Sequence, residues 1–255
     1  MDHLIELLGQ ALPANAPRLV HLPEARPIVY VGDIHGDIDA VNIVFSRFPI
    51  SDYTLVFLGD IVDRGSHSGD ALLRIAEEKL TSPSCIHLLM GNHEARSLCQ
   101  FKPANFWDSL RKDHSERLSH HLEKLPLAAW HPVGILATHG GLPDVPALEA
   151  INDISLGDLS WRALTWGDWA DKDTQSVAGI KRPAFGPTAF EKRSSQLSVS
   201  VHIRSHQPSC PLYSFSDRCL TLFTTSAYGD GKRRVAVLRP LQSVQSARDL
   251  ELIEL

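Results

Sequence analysis

Three short apolar runs in the first third of the chain each end in a polar turn that contains glycine. The runs read YVGDIHG from Tyr30, FLGDIVDRG from Phe57 and LMGNHE from Leu89. Apolar and β-branched residues closed by glycine predict buried strands, roughly over 27–32, 54–59 and 85–90. Each turn places an acid, an amide or an imidazole at the carboxyl end of a strand, where open α/β sheets hold their ligands.

Apolar residues with helical spacing lie between these strands, within 37–48 and around 71–76. The resulting β-α-β-α-β alternation predicts neighbouring parallel strands joined by right-handed crossovers. A longer helix is predicted from Asn105, interpreted as its N-cap, to about Leu125. Its histidines His114, His120 and His121 are expected to be solvated rather than to bind a metal.

The two ends of the chain and its second half are less regular. Residues 1–26 predict a short amphipathic helix over 2–12 and a proline-rich connector, and 241–255 form a tail without a predicted element. A strand is expected over 134–138, and a short helix over 190–197 precedes an alternating run that ends at His206. Antiparallel hairpins are expected over 212–238, with a turn at 228–231. We expect residues 1–255 to form one domain.

Composition excludes several classes of protein. The 255 residues are 43% hydrophobic, enough for a substantial core. The net charge of −5 argues against a nucleic-acid partner, which would need a basic surface. The four cysteines lack CxxC spacing and are typical of the reducing cytoplasm. Because no apolar run approaches the ~18 residues of a membrane span, we expect no membrane association.

The polar residues at the strand ends form a set of oxygen and nitrogen ligands without a thiolate. The set consists of Asp33, His35, Asp60, Asn92, His139 and His206. Acids and imidazoles gathered at the ends of buried strands are costly to desolvate unless they are paired or bound to metal. This ligand set suits divalent Mn, Fe or Zn, and Asp60 could bridge two ions. The sequence therefore predicts a metal site, and Mn is the expected ion in vitro.

The motifs GDIHG, GDIVDRG, GNHE, HGG and RSHQ, in this order, resemble those of the phosphoprotein phosphatase family of metallophosphoesterases. The resemblance covers roughly Pro27 to Gly231. It implies an α/β fold in which two central mixed β-sheets form a sandwich flanked by helices, with two divalent metal ions at the carboxyl ends of the strands. The implied ligands are Asp33, His35 and Asp60 for one ion, and Asp60, Asn92, His139 and His206 for the other.

Two such ions would lower the pKa of a shared water to near neutrality, so that a bridging hydroxide attacks phosphorus directly. The resemblance implies that His93 is the general acid, oriented by Asp63, and that Arg64 binds phosphoryl oxygens. Asn92, His93 and, less securely, Tyr228 match further phosphate contacts of the family. Arg182 is the candidate for a second phosphate-binding arginine. Arg204 is the next choice, and packing is the alternative role.

Some residues depart from the family pattern. Met90 stands where many members carry an arginine, and the tetrapeptide from Trp166 to Trp169 only partly matches the family's W-S-D-P. The leading hypothesis is a metal-dependent phosphomonoesterase acting on phosphoproteins or small phosphoesters, with serine/threonine or dual specificity. The alternatives are a dinucleoside polyphosphate hydrolase and a catalytically silent protein that binds phosphorylated partners. The oligomeric state is not predicted.

Overall fold

The computed structural model describes residues 1–173, 182–228 and 231–255. Within them, the α-helices are Asp2–Ala11 (α1), Ile38–Arg47 (α2), Ser68–Thr81 (α3), Asn105–Asp108 (α4), Lys112–Leu122 (α5), Leu159–Trp166 (α6) and Pro187–Gln196 (α7). The strands are Leu19–His21 (β1), Ile28–Val31 (β2), Thr54–Phe57 (β3), Ile86–Leu88 (β4), Ala128–His131 (β5), Ile135–Thr138 (β6), Asp168–Trp169 (β7), Ala184–Phe185 (β8), Val201–Arg204 (β9), Tyr213–Ser214 (β10), Cys219–Thr221 (β11), Arg234–Leu238 (β12) and Glu251–Glu254 (β13). Short 3₁₀ helices cover Leu148–Asp153 and Ala247–Asp249.

Two large mixed sheets form the centre of the fold. The five-stranded sheet has the order β13-β12-β2-β3-β4, and β2, β3 and β4 run parallel in it as predicted. The six-stranded sheet has the order β1-β5-β6-β9-β11-β10, and β7 pairs with β8 in a separate small sheet. Both large sheets contain parallel and antiparallel pairs, which confirms the predicted α/β architecture with two mixed sheets.

Both faces of the central strands are buried, and alternate residues serve different layers of the core. In β2, Ile28 and Tyr30 pack against residues of the other sheet such as Ile203, whereas Val29 and Val31 belong to the cluster that includes the helices. Period-two alternation of a strand explains this division, and burial of both faces explains why the strands read as continuous apolar runs.

Helices cover the outer faces. The predicted N-terminal helix is confirmed as α1, whose apolar side chains pack near α3 and α5. None of the described helices has the length and apolar character needed to cross a bilayer. The histidines of α5 lie away from the strand ends. His120 is exposed, and His114 Nε2 lies 3.3 Å from Asp2 Oδ2 in α1.

Several boundaries differ from the expectations. The connector predicted before residue 27 contains β1, which pairs with β5 across a long sequence separation. The helix predicted over 105–125 is interrupted after Asp108, and Asn105 is not its N-cap: Ala104 takes that position without a side-chain cap. The side chain of Asn105 instead accepts a hydrogen bond from the backbone of Arg64.

The C-terminal predictions need a similar correction. Among the described residues of 212–238, only β10 and β11 form an antiparallel hairpin, because β12 crosses to the other sheet and pairs with β2. The tail 241–255 is not without structure, since β13 adds to the edge of that sheet. Two residues of the predicted turn at 228–231, Gly229 and Asp230, lie outside the described residues.

Candidate active site

The carboxyl ends of strands from both large sheets meet at one edge of the sandwich. Asp33, just after β2, forms a parallel bridge with Phe223, which follows β11 in the other sheet. All six predicted ligands lie at this edge, and each is at most 4% exposed. We call this set the ligand cluster: Asp33, His35, Asp60, Asn92, His139 and His206.

Three members of the ligand cluster have left-handed backbone conformations. The φ angles are 48° for His35, 53° for Asp60 and 69° for His206. Such conformations cost about 1–3 kcal/mol each for residues other than glycine, and they persist where the surroundings impose them. The Asp60 carbonyl accepts hydrogen bonds from the backbone N–H groups of Ile34 (3.1 Å) and His35 (2.9 Å). The first two strand-end turns are thereby joined.

In each of two imidazoles, a backbone carbonyl determines which ring nitrogen faces the cluster. His35 Nδ1 lies 2.9 Å from the carbonyl of Val62, and His139 Nδ1 lies 3.1 Å from that of Leu58. Because a carbonyl oxygen can only accept, each Nδ1 carries the hydrogen. The Nε2 atom of the neutral ring then offers a lone pair, which is the arrangement of a metal-binding histidine.

Atoms with lone pairs converge on His139 Nε2. It lies 3.3 Å from Asp60 Oδ2, 3.1 Å from Asn92 Oδ1 and 3.1 Å from His206 Nδ1. His35 Nε2 likewise lies 3.6 Å from a carboxylate oxygen of both Asp33 and Asp60. A cation can be coordinated by several such oxygen and nitrogen lone pairs at once, so this set of donor atoms fits the predicted divalent ions.

The charges in the cluster support the same fit. Burial opposes charge on His139, yet Asp60 and Asp33 raise the pKa of this imidazole. Burial also opposes the Asp60 carboxylate, but the surrounding imidazoles hold its pKa well below the usual range. The carboxylates of Asp33 and Asp60 therefore favour positive charge beside them, which a divalent cation would supply. Asp60 belongs to two trios of potential ligands, one with His35 and His93 and the other with His139 and His206.

A histidine–carboxylate pair lies beside the cluster. His93 Nδ1 is 2.7 Å from Asp63 Oδ2, and His93 Nε2 points toward Asp60 Oδ2 at 3.9 Å. The other oxygen of Asp63 accepts the backbone N–H of Phe106 at 2.9 Å. Asp63 therefore holds a hydrogen on Nδ1 and leaves Nε2 facing the ligand cluster, the geometry expected of an oriented proton donor.

Three side chains of the more open surface lie beside the cluster or next to its neighbours, and we call Arg64, Arg182 and Tyr228 the rim. The hydroxyl of Tyr228 lies 2.9 Å from His35 Nε2, and burial, together with the charge of Asp33, raises its pKa, so it stays protonated. The guanidinium of Arg64 lies 4.9 Å from the centre of the Tyr228 ring. These two predicted residues therefore share one side of the site.

The two candidate arginines differ in their environments. Arg182 forms a bidentate ion pair with Asp168 (3.0 and 2.9 Å), which lies 3.7 Å from His206 Nε2, and its side chain is 43% exposed. Arg204 is fully buried and donates to the carbonyls of Gly140 and Gly167. Packing therefore accounts for Arg204, whereas Arg182 is placed next to the ligand cluster with an accessible guanidinium.

Comparison with protein families matches residues 26–210 to the calcineurin-like phosphoesterase model. The chain belongs to the calcineurin-like phosphoesterase family. Similar curated proteins include the catalytic subunit of serine/threonine-protein phosphatase 4 of Kluyveromyces lactis, 31% identical over 217 residues that cover 79% of this chain and 68% of that protein. Human serine/threonine-protein phosphatase 5 is 30% identical over 82% of this chain, which spans only 45% of that protein.

Solved structures of phosphoesterases share the fold. A Saccharomyces cerevisiae serine/threonine phosphatase described as similar to human phosphatase PP5 has a TM-score of 0.80, covers 99% of this chain and 89% of its own, and is 23% identical. A protein described as a putative diadenosine tetraphosphatase has a TM-score of 0.59 at 20% identity, covering 93% of this chain and 98% of its own. The two similar curated proteins are both named as serine/threonine-protein phosphatases, and the solved structures show the shared fold.

Glu94 of this phosphoesterase lies behind the cluster rather than in it. Its carboxylate accepts the backbone N–H groups of Asp60 (2.7 Å), Ile61 (2.9 Å) and Gly91 (3.0 Å). Burial and the charge of Asp60 raise the pKa of Glu94 to about 7, while the three donors favour its ionised form. Glu94 thus holds the second and third strand-end turns together.

The residues that depart from the phosphatase pattern have local explanations. Met90 is fully buried, and its sulfur accepts a hydrogen bond from the indole N–H of Trp161 at 3.3 Å. A charged arginine at this buried position would be costly unless its charge were paired. Trp166 packs edge-on against His206 at 6.0 Å, so this tryptophan belongs to the wall of the phosphoesterase site.

Sequence reasoning missed some residues that support the site. Ser205 donates a short hydrogen bond to Asp33, and the ring of Phe101 lies 4.4 Å from that of His93. Ser205 directly precedes the predicted ligand His206, and this position in the sequence could have marked it as part of the site. Phe101 lies in an irregular segment whose pattern predicts no element, so no periodicity could have marked it.

Proposed function

We propose that this phosphoesterase is a metal-dependent serine/threonine protein phosphatase that hydrolyses phosphomonoesters. The single observation that carries the proposal is the convergence, at one edge, of the lone pairs of the ligand cluster and the oriented His93–Asp63 pair. The similarity to serine/threonine phosphatases supports the substrate class. Two divalent ions, when bound, supply an acidified water and neutralise charge on the phosphoryl group.

The residues of the chain perform the remaining steps. The Asp63 carboxylate accepts from His93 Nδ1–H and stabilises the doubly protonated imidazole, so Nε2–H can be given to the departing alkoxide oxygen. We propose that Arg64 and Arg182 donate to phosphoryl oxygens, with Asn92 and Tyr228 completing the phosphate contacts. In this proposal, Asp33, His35 and Asp60 hold one ion, and Asp60, Asn92, His139 and His206 hold the other.

The nature of the donors leaves Mn, Fe and Zn as candidate ions, and Mn is proposed for assays in vitro. We also propose that residues 1–255 form one domain. The pairing of β13 with β12 and the packing of α1 near α3 support this proposal. All four cysteines are unpaired, which supports a reducing compartment such as the cytoplasm.

A substrate panel tests the proposal. A chromogenic phosphomonoester, its diester analogue, a phosphoserine peptide, a phosphotyrosine peptide and diadenosine tetraphosphate would each be assayed with Mn, with chelator and with His93→Asn. We expect Mn-dependent hydrolysis of the monoester and the phosphoserine peptide, lost in the variant. Preference for diadenosine tetraphosphate would instead assign a dinucleoside polyphosphate hydrolase. Phosphopeptide binding without turnover of any substrate would indicate a silent binding protein.

A further inference from the structure

The turn that carries Asp63 and Arg64 has an unfavourable backbone. Both residues have left-handed conformations, with φ angles of 68° and 66°, and neither is glycine. Two such residues in succession are rare, and each costs energy unless its surroundings hold it. The direction in which the exposed Arg64 side chain leaves the chain therefore depends on contacts made by the turn.

Three consecutive residues at the start of α4 hold this turn and the neighbouring histidine. Asn105 Oδ1 accepts the backbone N–H of Arg64 at 2.7 Å, and the backbone N–H of Phe106 donates to Asp63 at 2.9 Å. The indole N–H of Trp107 donates to the carbonyl of His93 at 2.9 Å. One short segment thus contacts Asp63, Arg64 and His93.

The segment is itself anchored. The side chains of Phe106 and Trp107 are 7% and 4% exposed, and both belong to the hydrophobic core. Asn105, in contrast, is exposed, and its side chain does not cap α4. Its described hydrogen bond is directed at the backbone of Arg64, so the residue interpreted as a helix cap from the sequence serves the site instead.

We propose that Asn105 is a positioning residue that fixes the backbone of Arg64 and thereby aims its guanidinium at the substrate phosphoryl group. This inference rests on the proposed function, because it requires Arg64 to bind phosphate. Without the Asn105 acceptor, the Arg64 N–H would turn toward water and the turn could relax from its left-handed conformation. The arginine would then sample orientations away from the site.

A double-mutant cycle tests this inference. Asn105→Ala, Arg64→Ala and the double variant would be compared with the Mn-loaded wild type. The readouts are kcat/KM for a chromogenic phosphomonoester and the dissociation constant of inorganic phosphate. We expect Asn105→Ala alone to lower kcat/KM and to raise the dissociation constant of phosphate, each by about three- to tenfold, which is the effect of one lost hydrogen bond. In the Arg64→Ala background, the same change should alter them less than about twofold.

Asn152→Ala is the matched control, because its Oδ1 also accepts a backbone N–H, that of Leu19 at 3.1 Å, outside the site. We expect it to leave both readouts unchanged. Asn105→Asp keeps the acceptor and should retain most of the wild-type phosphate affinity. If Asn105→Ala does not fold, Asn105→Leu, which preserves side-chain volume but removes the acceptor, replaces it in the cycle.

Equal losses from Asn105→Ala with and without Arg64 would overturn the inference, since a merely structural residue acts in both backgrounds. The proposed function fails separately, if the wild type hydrolyses none of the phosphoesters in the panel. The phosphate-affinity cycle would still measure whether Asn105 acts through Arg64 in that case.

Discussion

The side chains of the ligand cluster are buried and held in place by other parts of the chain, whereas the arginine side chains of the rim are exposed. His35 and His139 are fixed by backbone carbonyls. The backbone N–H of Asp60 donates to Glu94, and its carbonyl accepts from the N–H groups of Ile34 and His35. Within the described residues, Arg182 forms an ion pair with Asp168, and the guanidinium of Arg64 contacts the ring of Tyr228. In the proposed function, the buried cluster would hold ions in a fixed geometry, whereas at Arg64 it is the backbone that Asn105 fixes and the exposed side chain that would meet substrate.

The largest expected effect is that of Asp60→Asn in the centre of the cluster. Because Asp60 is shared by both trios of potential ligands, we expect a loss of kcat/KM beyond the ~10²–10³-fold typical of removing one charge-stabilising donor. Metal content measured together with the rate should show loss of bound ions. Wild-type activity at matched metal loading would contradict a mechanism based on two metals.

His93→Asn separates proton donation from metal binding. Losing a general acid typically lowers the rate by ~10²–10⁴-fold. We expect kcat to fall by this amount, while metal content stays near that of the wild type. A variant that also loses its metal would indicate that His93 acts as a ligand, as its place in one trio allows.

Arg64→Ala tests the rim. Loss of one donor to the phosphoryl group should lower kcat/KM by roughly 10²-fold, less than Asp60→Asn. Metal content and the free energy of unfolding should stay unchanged, because the side chain is exposed. Steady-state kinetics and metal analysis of the same preparation would check this. A loss as large as that of Asp60→Asn would remove the distinction between cluster and rim.

Two further arginines sharpen the comparison. Arg204→Ala leaves buried carbonyls without their donor, so we expect the free energy of unfolding to fall by about 2–4 kcal/mol in denaturant titrations. Arg182→Ala removes a partly exposed ion pair and should cost at most about 1 kcal/mol of stability, while lowering kcat/KM. The reverse result would assign the phosphate contact to Arg204.

The last expected effect concerns stability alone, at a half-buried histidine outside the cluster. Burial, aided by Lys79, lowers the pKa of His87 to about 4, opposite to the raised pKa of His139 beside Asp60. Between pH 6.5 and 4, His87 is protonated in the unfolded chain but stays neutral in the folded one. The free energy of unfolding therefore falls as the pH falls, by at most about 3 kcal/mol.

His87→Gln should reduce this loss of stability, which denaturant titrations of wild type and variant at pH 7 and pH 5 would measure. The variant's own difference between the two pH values gives the contribution of the other titrating groups. If the two proteins lose stability equally, His87 is charged in the folded state or accessible to water.

Much of the site was predictable because it is built from short local patterns. The first three strands, their turns and the ligands Asp33, Asp60 and Asn92 follow from apolar runs that end in glycine-containing turns. His139 and His206 were predicted in the same way, because each follows a later strand or alternating run. In contrast, β13 and β1 were missed, since short edge strands gain their stability from distant partners such as β12 and β5.

The role of Asn105 shows the limit of local reasoning. An asparagine before an amphipathic run predicts a helix cap, yet here the side chain binds the backbone of Arg64, 41 positions away in sequence. The choice between Arg182 and Arg204 was open for the same reason. Burial distinguishes them, and burial depends on which segments pack above each arginine.

The sequence by itself determined the α/β class, the first β-α-β-α-β units, the ligand cluster and the His93–Asp63 pair. These depend on periodicity and on motifs in which neighbouring residues act together. Only the tertiary structure decided that β12 leaves its predicted hairpin for the other sheet, that Arg204 is buried, and that α4 holds the Arg64 turn. Each of those outcomes is a competition between partners far apart in the chain, which packing resolves and a local pattern does not encode.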